Sequence, residues 1–115
     1  MKFKITNTKE IMDKLQSVGI NTVRKAWDET VYTSAEMEQR SYNNRPWTDR
    51  TGNARASIYG LPEFTGTKMS ITHGIGVDYG VYLELSNGGR YRIIGPTTDS
   101  YRSVWLANMK DILSK

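Results

Sequence analysis

VDYGVYLELSNGGRYRIIGP, residues 77–96, is the stretch that most decides how the fold of this chain is interpreted. Every second residue from 77 to 85 is apolar, and alternation of period two is typical of a half-buried β-strand. Tyr79, Tyr82 and Leu83 also stand at i, i+3 and i+4, which would place them on one side of a short helix. Periodicity alone therefore leaves both a strand and a short helix open here.

A reversal of the chain follows. Asn87-Gly88-Gly89 supplies residues that accept positive φ, so the chain is expected to turn there. Tyr91–Ile94 then returns as a predicted strand, and Gly95-Pro96 is expected to end that strand.

Two more segments are predicted to join this element in a sheet. Met69–Val77 alternates apolar and small or polar residues, and together with Tyr91–Ile94 it is expected to form the core of a small antiparallel sheet. Glu63–Lys68, which contains Gly66, is predicted to be the loop before it. Phe3 alternates with lysines in the same way, which predicts a short edge strand at the N-terminus.

The residues after this edge strand predict a helix. Asn7 followed by Glu10 resembles an N-cap with an acid three positions later. One helical face carries Ile11, Leu15, Val18, Thr22 and Ala26. A second face carries Ile20, Val23, Trp27 and Val31. Two displaced stripes indicate either a break near Gly19 or one long helix that contacts two different surfaces.

The middle of the chain is more polar. Thr33–Arg45 is weakly helical and is expected to end before Pro46, because a residue before proline is disfavoured in the α region. Ser41–Trp47 has the composition of a linker. Thr51 is then a suitable N-cap for a short helical turn that reaches Ile58, and Leu61-Pro62 is expected to end that unit.

The C-terminal segment gives the strongest helical pattern. Thr98 or Asp99 is the predicted N-cap. The apolar stripe that follows consists of Tyr101, Trp105, Met109 and Ile112. With a length suited to one domain over residues 1–115, the sequence predicts an α+β fold: a small antiparallel sheet flanked by a long N-terminal helix and a C-terminal helix.

Composition narrows the classes of function. The chain has no cysteine, which excludes disulfides, thiolate catalysis and Cys-ligated zinc. The first ten residues contain no apolar region typical of a signal peptide, and no apolar run approaches the ~20 residues of a membrane span. The net charge is +4, but lysine and arginine are dispersed among acids. A small basic nucleic-acid-binding module is the alternative that this charge leaves open.

Residues with catalytic or metal-binding potential are few. His73 is the sole histidine and stands in a predicted strand that needs inward positions for packing, so we expect a packed or surface histidine rather than a catalytic one. No paired histidines, HExxH motif, calcium-binding loop or P-loop is present, and Gly74-Ile75-Gly76 lacks the third glycine of a dinucleotide fingerprint. We therefore predict no enzyme activity, no metal, no cofactor and no small-molecule substrate.

Two segments together resemble a known family. Residues 50–58, RTGNARASI, are similar to the TG-x-L-x-x-S-I motif of small tail-component proteins of long-tailed bacteriophages and prophages, with Ala54 in place of the usual leucine. Residues 77–84, VDYGVYLE, are similar to the V-x-Y-x-x-Y-x-E motif of that family. The Gly-Thr that commonly follows the acid is replaced by residues 85–89, LSNGG. The order of elements also matches, from the long N-terminal helix to the last helix.

The resemblance implies a structural protein of the phage neck that acts in head–tail joining or tail completion. Such proteins assemble as rings, so the implied partners are further copies of the chain and other neck or tail proteins. The implied location is the virion, after synthesis in the bacterial cytoplasm. DNA passes nearby, but no specific DNA binding and no membrane contact are expected.

Candidate interface residues follow from this role, because aromatic residues and arginine are enriched at interface cores. Glu84 is expected to accept hydrogen bonds from turn amides or to pair with Arg90 or Arg92, and Asp49-Arg50 is a candidate for charge pairing between subunits. The full set of predicted assembly-interface residues is Trp27, Trp47, Asp49, Arg50, Tyr79, Tyr82, Glu84, Arg90 and Tyr91.

Overall fold

A computed structural model of the chain describes residues 2–44, 57–76 and 93–114. In chain order these residues form β1 (Lys2–Thr6), α1 (Lys9–Ser17), α2 (Ile20–Asn44), β2 (Ile58–Thr65), β3 (Lys68–Ile75) and α3 (Ile94–Leu113). The predicted fold class is confirmed: the fold is α+β, with a small antiparallel sheet, a long helix in the N-terminal half and a C-terminal helix.

The sheet has the strand order β1-β3-β2, and both neighbouring pairs are antiparallel. Ile5 of β1 and Pro62 of β2 both lie opposite Ile71 of β3, and directly opposed residues point to the same face. The inner face, which the helices cover, includes Phe3, Ile5, Gly60, Pro62, Phe64, Met69, Ile71 and His73. The outer face includes Lys2, Lys4, Leu61, Glu63, Lys68, Ser70 and Thr72.

The predicted edge strand at the N-terminus is confirmed as β1, and the strand predicted from Met69 is confirmed as β3. The segment before β3 was predicted wrongly, because β2 places Ile58 in a strand and continues through Leu61-Pro62 to Thr65. Proline is tolerated there since β2 is an edge strand and needs no hydrogen bond on its outer side. The turn to β3 contains Gly66 at φ 63°, as a two-residue hairpin loop requires.

Of the two alternatives that the displaced stripes left open, the structure shows the break near Gly19. Val18 ends α1 in an extended conformation, and α2 begins after Gly19, whose carbonyl accepts hydrogen bonds from Thr22 and Val23. The predicted N-cap was wrong by one residue, because Thr8 caps α1 by accepting from the amide of Ile11.

Asn7, the residue expected to be the N-cap, instead makes side-chain hydrogen bonds to residues that are distant in the sequence. Its Nδ2 donates to the carbonyl oxygen of Thr67 at 3.0 Å, and its Oδ1 accepts from the amide of Met69 at 3.1 Å. Asn7 thereby ties the end of β1 to the turn of the β2–β3 hairpin, and its side chain is buried.

The two other helix boundaries also differ from expectation. Helix α2 continues to Asn44, so the linker predicted from Ser41 is wrong for residues 41–44. Helix α3 begins at Ile94, so Ile94 is not in a strand and neither Thr98 nor Asp99 is the N-cap. Pro96 lies in the first turn, where backbone amides lack helical acceptors and proline is accepted. Ile93 precedes the helix and is not in a strand either, and Tyr91 and Arg92, the rest of that predicted strand, lie outside the described residues.

The main core lies between the inner face of the sheet and the three helices. Its buried apolar side chains are Ile5, Ile11, Leu15, Ala26, Met37, Met69, Ile71, Trp105, Met109 and Leu113. Trp105 is fully buried, and its Nε1 donates to Thr30 Oγ1 at 3.1 Å. Thr30 in turn donates to the carbonyl oxygen of Ala26 at 2.9 Å, so the buried polar atoms of this group are satisfied.

Gly60 is a point of close contact between α2 and β2. A Cβ atom added to Gly60 would lie 2.6 Å from the carbonyl oxygen of Ser34 and 2.7 Å from its Oγ. We expect Gly60→Ala to push the helix from the strand and to lower the free energy of unfolding by about 1–3 kcal/mol. Chemical denaturation measures this change.

Gly19→Ala is the matched control, because a Cβ atom at Gly19 meets nothing within 4 Å. Its free energy of unfolding should stay within about 1 kcal/mol of the wild type. Equal stability of the two variants would contradict the close approach of Ser34 to Gly60.

Candidate functional site

The last two residues of the first family-like motif and the residue that precedes the second lie together at one end of the β2–β3 hairpin, and the rest of both motifs lies outside the described residues. The first motif ends at Ser57-Ile58, where β2 begins, and the second starts directly after Gly76, where β3 has ended. The amide of Gly76 donates to the carbonyl oxygen of Ser57 at 3.1 Å, and Ile58 lies opposite Ile75. Antiparallel pairing therefore places the end of the first motif beside Gly76, the residue that precedes the second motif.

A small apolar cluster holds this end of the hairpin together. Ile58, Ile75 and Ile94 are buried in it, and Phe3 and Ile93 pack against them. Gly95 allows this packing, because a Cβ atom there would lie 3.2 Å from the Phe3 ring. Since Ile93 and Ile94 begin α3, the chain that follows the second motif returns to the same cluster. We call these five residues the anchor cluster.

A buried polar network fixes the end of α2 to the same half of the sheet. His73 Nδ1 lies 2.9 Å from the carbonyl oxygen of Tyr59, and His73 Nε2 lies 2.7 Å from Ser41 Oγ. A carbonyl oxygen only accepts hydrogen bonds, so in the neutral imidazole Nδ1 carries the proton and Nε2 accepts from Ser41. The network joins α2, β2 and β3. Ser41 contributes to it three residues before α2 ends at Asn44.

The contact between Ser41 and His73 has the atom types of a nucleophile and its base, but its surroundings fit a structural role. Both residues are fully buried, so a substrate in solution does not reach the hydroxyl group. A buried pair of polar side chains with satisfied hydrogen bonds specifies packing between elements. The packed histidine expected from the sequence is therefore what the structure shows.

Trp27 is the one predicted interface residue that falls among the described residues. It lies on α2, is partly buried, and stacks on Phe64 of β2 with ring centroids 5.7 Å apart. Two other residues of its predicted stripe, Ile20 and Val31, are exposed by 76% and 40%. The other predicted interface residues lie outside the described residues: Trp47, Asp49, Arg50, Tyr79, Tyr82, Glu84, Arg90 and Tyr91.

Sequence reasoning did not identify several residues that the structure makes prominent. Phe64 was assigned to a loop, and Ser41 to a linker, although they contact Trp27 and His73. A signal for β2 was present, because apolar or small residues alternate from Ile58 to Phe64 and again from Met69 to Ile75 on the two sides of Gly66. No local signal identified Ser41, since its partner lies 32 residues away.

Residues 2–44, 57–76 and 93–114 offer few other candidate sites. No group of three or more histidine or acidic residues in these ranges is placed to hold a metal ion. Of the helices described, none has the length and apolar character needed to cross a membrane.

Comparison of the chain with known protein families, with characterised proteins and with solved structures finds no match.

Proposed function

We propose that this protein is a structural component of the neck of a long-tailed bacteriophage, where it serves in head–tail joining or tail completion as a subunit of a ring. The observation that supports the proposal is the pairing, at one end of the hairpin, of the residues that end the first motif with the residues that precede the second. Motifs that serve one interface should lie together in the fold, and residues that flank these two do so.

The order of elements supports the same role. A long helix precedes the first motif, a strand precedes the second, and a proline-containing helix follows it. This is the order that the resemblance implies for the phage family. The structure adds that the proline lies inside the first turn of that last helix rather than ahead of it.

The surroundings of the motifs suit a scaffold that presents them. The anchor cluster and the network of Ser41, His73 and Tyr59 tie α2, α3, β2 and β3 to one end of the sheet. Flanks held in this way reduce the conformational entropy that the motif segments would lose on binding a partner, which favours assembly.

Complementation of a phage that encodes this protein tests the proposal. Without the protein, lysates should contain DNA-filled heads and tails that remain separate in electron micrographs. Adding the purified chain should join them and restore infectious particles. Labelled protein should then be found at the head–tail junction.

Variants of the second motif sharpen this test. Tyr82→Ala should reduce the yield of infectious particles at least about tenfold, because an aromatic interface anchor is lost. Tyr82→Phe is the matched control and should complement as well as the wild type. Normal infectivity of particles that lack the protein would contradict the proposed function.

A further inference from the structure

Helix α2 has an exposed side that is largely apolar. Ile20, Val31 and Tyr42 are large apolar residues that are exposed on this side of the helix. At about 100° per residue, they share an arc of about 80° with four further residues of α2. In that arc Trp27 and Glu38 are half-buried and the other members are exposed. We call the set the exposed row of α2, and its members are Ile20, Arg24, Trp27, Val31, Ala35, Glu38 and Tyr42.

The exposed row is turned away from the elements that hold α2 in place. On one side of α2, Ser34 meets Gly60 of β2. On another side, Glu29 Oε1 accepts a hydrogen bond from Asn108 Nδ2 of α3 at 2.8 Å. Val31, at the centre of the row, lies about 160° around the helix from Glu29 and about 60° from Ser34. The row therefore points away from α3 and lies beside the sheet, open to another molecule along about 33 Å of helix.

The positions of the exposed row are symmetric about Val31. Its other members lie four, seven and eleven residues before and after Val31. A second α2 that runs antiparallel, with a two-fold axis at Val31, therefore brings each position opposite its symmetric counterpart. The pairs that result are Val31 with Val31, Trp27 with Ala35, Arg24 with Glu38, and Ile20 with Tyr42.

The residue types in these pairs are complementary. Arg24 meets Glu38 of the other copy, and the two-fold axis makes this charge pair twice. Within residues 2–44, 57–76 and 93–114, neither of the two charged side chains forms an ion pair or a hydrogen bond, so both are available to a second molecule. Trp27, which stacks on Phe64, meets the small side chain of Ala35. Volume and charge are thus matched across the axis.

From this pairing we infer that the protein forms a two-fold dimer, in which the exposed row of α2 packs antiparallel against the same row of a second copy. A second copy is the occupant because one half of the row supplies the charge and the volume that the other half accepts. The inference goes beyond the proposed function. A two-fold contact closes after two copies, so a ring needs a different surface, and either proposal can fail without the other.

Charge reversal tests the pairing by sedimentation velocity of the purified full chain. The wild type should pass from monomer to dimer as its concentration rises and should form nothing larger. Arg24→Glu and Glu38→Arg should each weaken the dimer at least about tenfold, because like charges then meet on both sides of the axis. Lys14→Glu makes the same change in net charge as Arg24→Glu, at an exposed position on α1, and should dimerise like the wild type.

Two combinations of these variants should restore the dimer. In an equimolar mixture of the Arg24→Glu chain with the Glu38→Arg chain, every position 24 faces a position 38 of opposite charge in the mixed dimer. A single chain that carries both substitutions has the two charges exchanged and should also dimerise. Surfaces that meet in any other register do not predict this recovery.

The two-fold axis at Val31 gives a second readout. The chain has no cysteine, so Val31→Cys introduces a single thiol, which in the dimer lies opposite the same thiol of the other copy. Oxidation of the two thiols by diamide should give a disulfide-linked dimer at least about tenfold faster than for Ser103→Cys, because the dimer raises their effective concentration. Ser103 is the control because it is exposed on α3.

The inference is overturned if the wild-type chain stays monomeric at every concentration. It is also overturned if neither combination restores the dimer while all variants keep the wild-type circular dichroism, or if the two cysteine variants crosslink at equal rates. Should one charge variant not fold, the cysteine variants still decide. A dimer that behaves as expected while phage complementation fails would remove the proposed function alone.

Discussion

Trp105→Ala should lower the free energy of unfolding by about 3–5 kcal/mol, which makes it the most destabilising single substitution that we expect in this protein. Trp105 is the largest of the fully buried side chains and packs in the main core between α2, α3 and the sheet. Its loss leaves a cavity and removes the hydrogen bond from Nε1 to Thr30. Chemical denaturation followed by circular dichroism measures the change.

Two control substitutions separate the causes. Trp105→Phe keeps most of the apolar volume but removes the Nε1 donor, so its cost should be clearly smaller than that of alanine. Val104→Ala alters the neighbouring side chain, which is 49% exposed, and should change the free energy of unfolding by less than about 0.5 kcal/mol. A stable Trp105→Ala variant would show that the core does not close around this residue.

His73→Ala should be the second most damaging change, at about 2–5 kcal/mol. It creates a cavity under α2 and leaves the buried hydroxyl of Ser41 and the carbonyl of Tyr59 without the imidazole that they bind. Ser41→Ala should cost less, about 1–3 kcal/mol, because it removes a smaller side chain and one hydrogen bond.

A double-mutant cycle tests whether these residues act together. If Ser41 and His73 stabilise the fold through their mutual contact, the double variant should be less destabilised than the sum of the two single variants. Additive costs would contradict the network. Phage complementation by the double variant at a temperature where it remains folded should persist, since the network is structural.

The sequence predicted the elements whose patterns agree with their tertiary contacts. The stripe of α3 is confirmed, because Trp105 and Met109 are fully buried and Tyr101 and Ile112 pack against the core. The break near Gly19, one of the two alternatives that the stripes left open, is also present. Local periodicity succeeded there because the apolar side of each helix faces one main core.

Proline misled the interpretation twice. Pro62 was expected to end a unit, and Gly95-Pro96 to end a strand, yet one lies within β2 and the other in the first turn of α3. Both positions tolerate a missing amide hydrogen for reasons that depend on neighbours: an edge position in the sheet and the start of a helix. The sequence alone does not show that β2 has no strand on its outer side or that Pro96 falls in the first turn of a helix.

Long-range hydrogen bonds explain the remaining differences. Asn7 has the sequence pattern of a cap but binds Thr67 and Met69, and Ser41 has the composition of a linker but binds His73. Of the candidate interface, Trp27 was correctly assigned to α2, where it proves to be half-buried against Phe64. The proximity of Ser57-Ile58, at the end of the first motif, to Gly76 was not predicted, because it depends on the partner of β3 being β2.

The hairpin also determines how the fold would carry mechanical tension. Both motif segments connect to the same end of β2 and β3, at Ser57 and Gly76. Traction on both segments together pulls these two strands in one direction, so the hydrogen bonds between them bear little load. Movement of the hairpin against the rest of the sheet would load the pairing of β3 with β1, which runs from Lys2 to Thr6 and is fixed at its far end by Asn7. Those bonds are perpendicular to the strands, so sliding of β3 along β1 would shear them together rather than open them one after another.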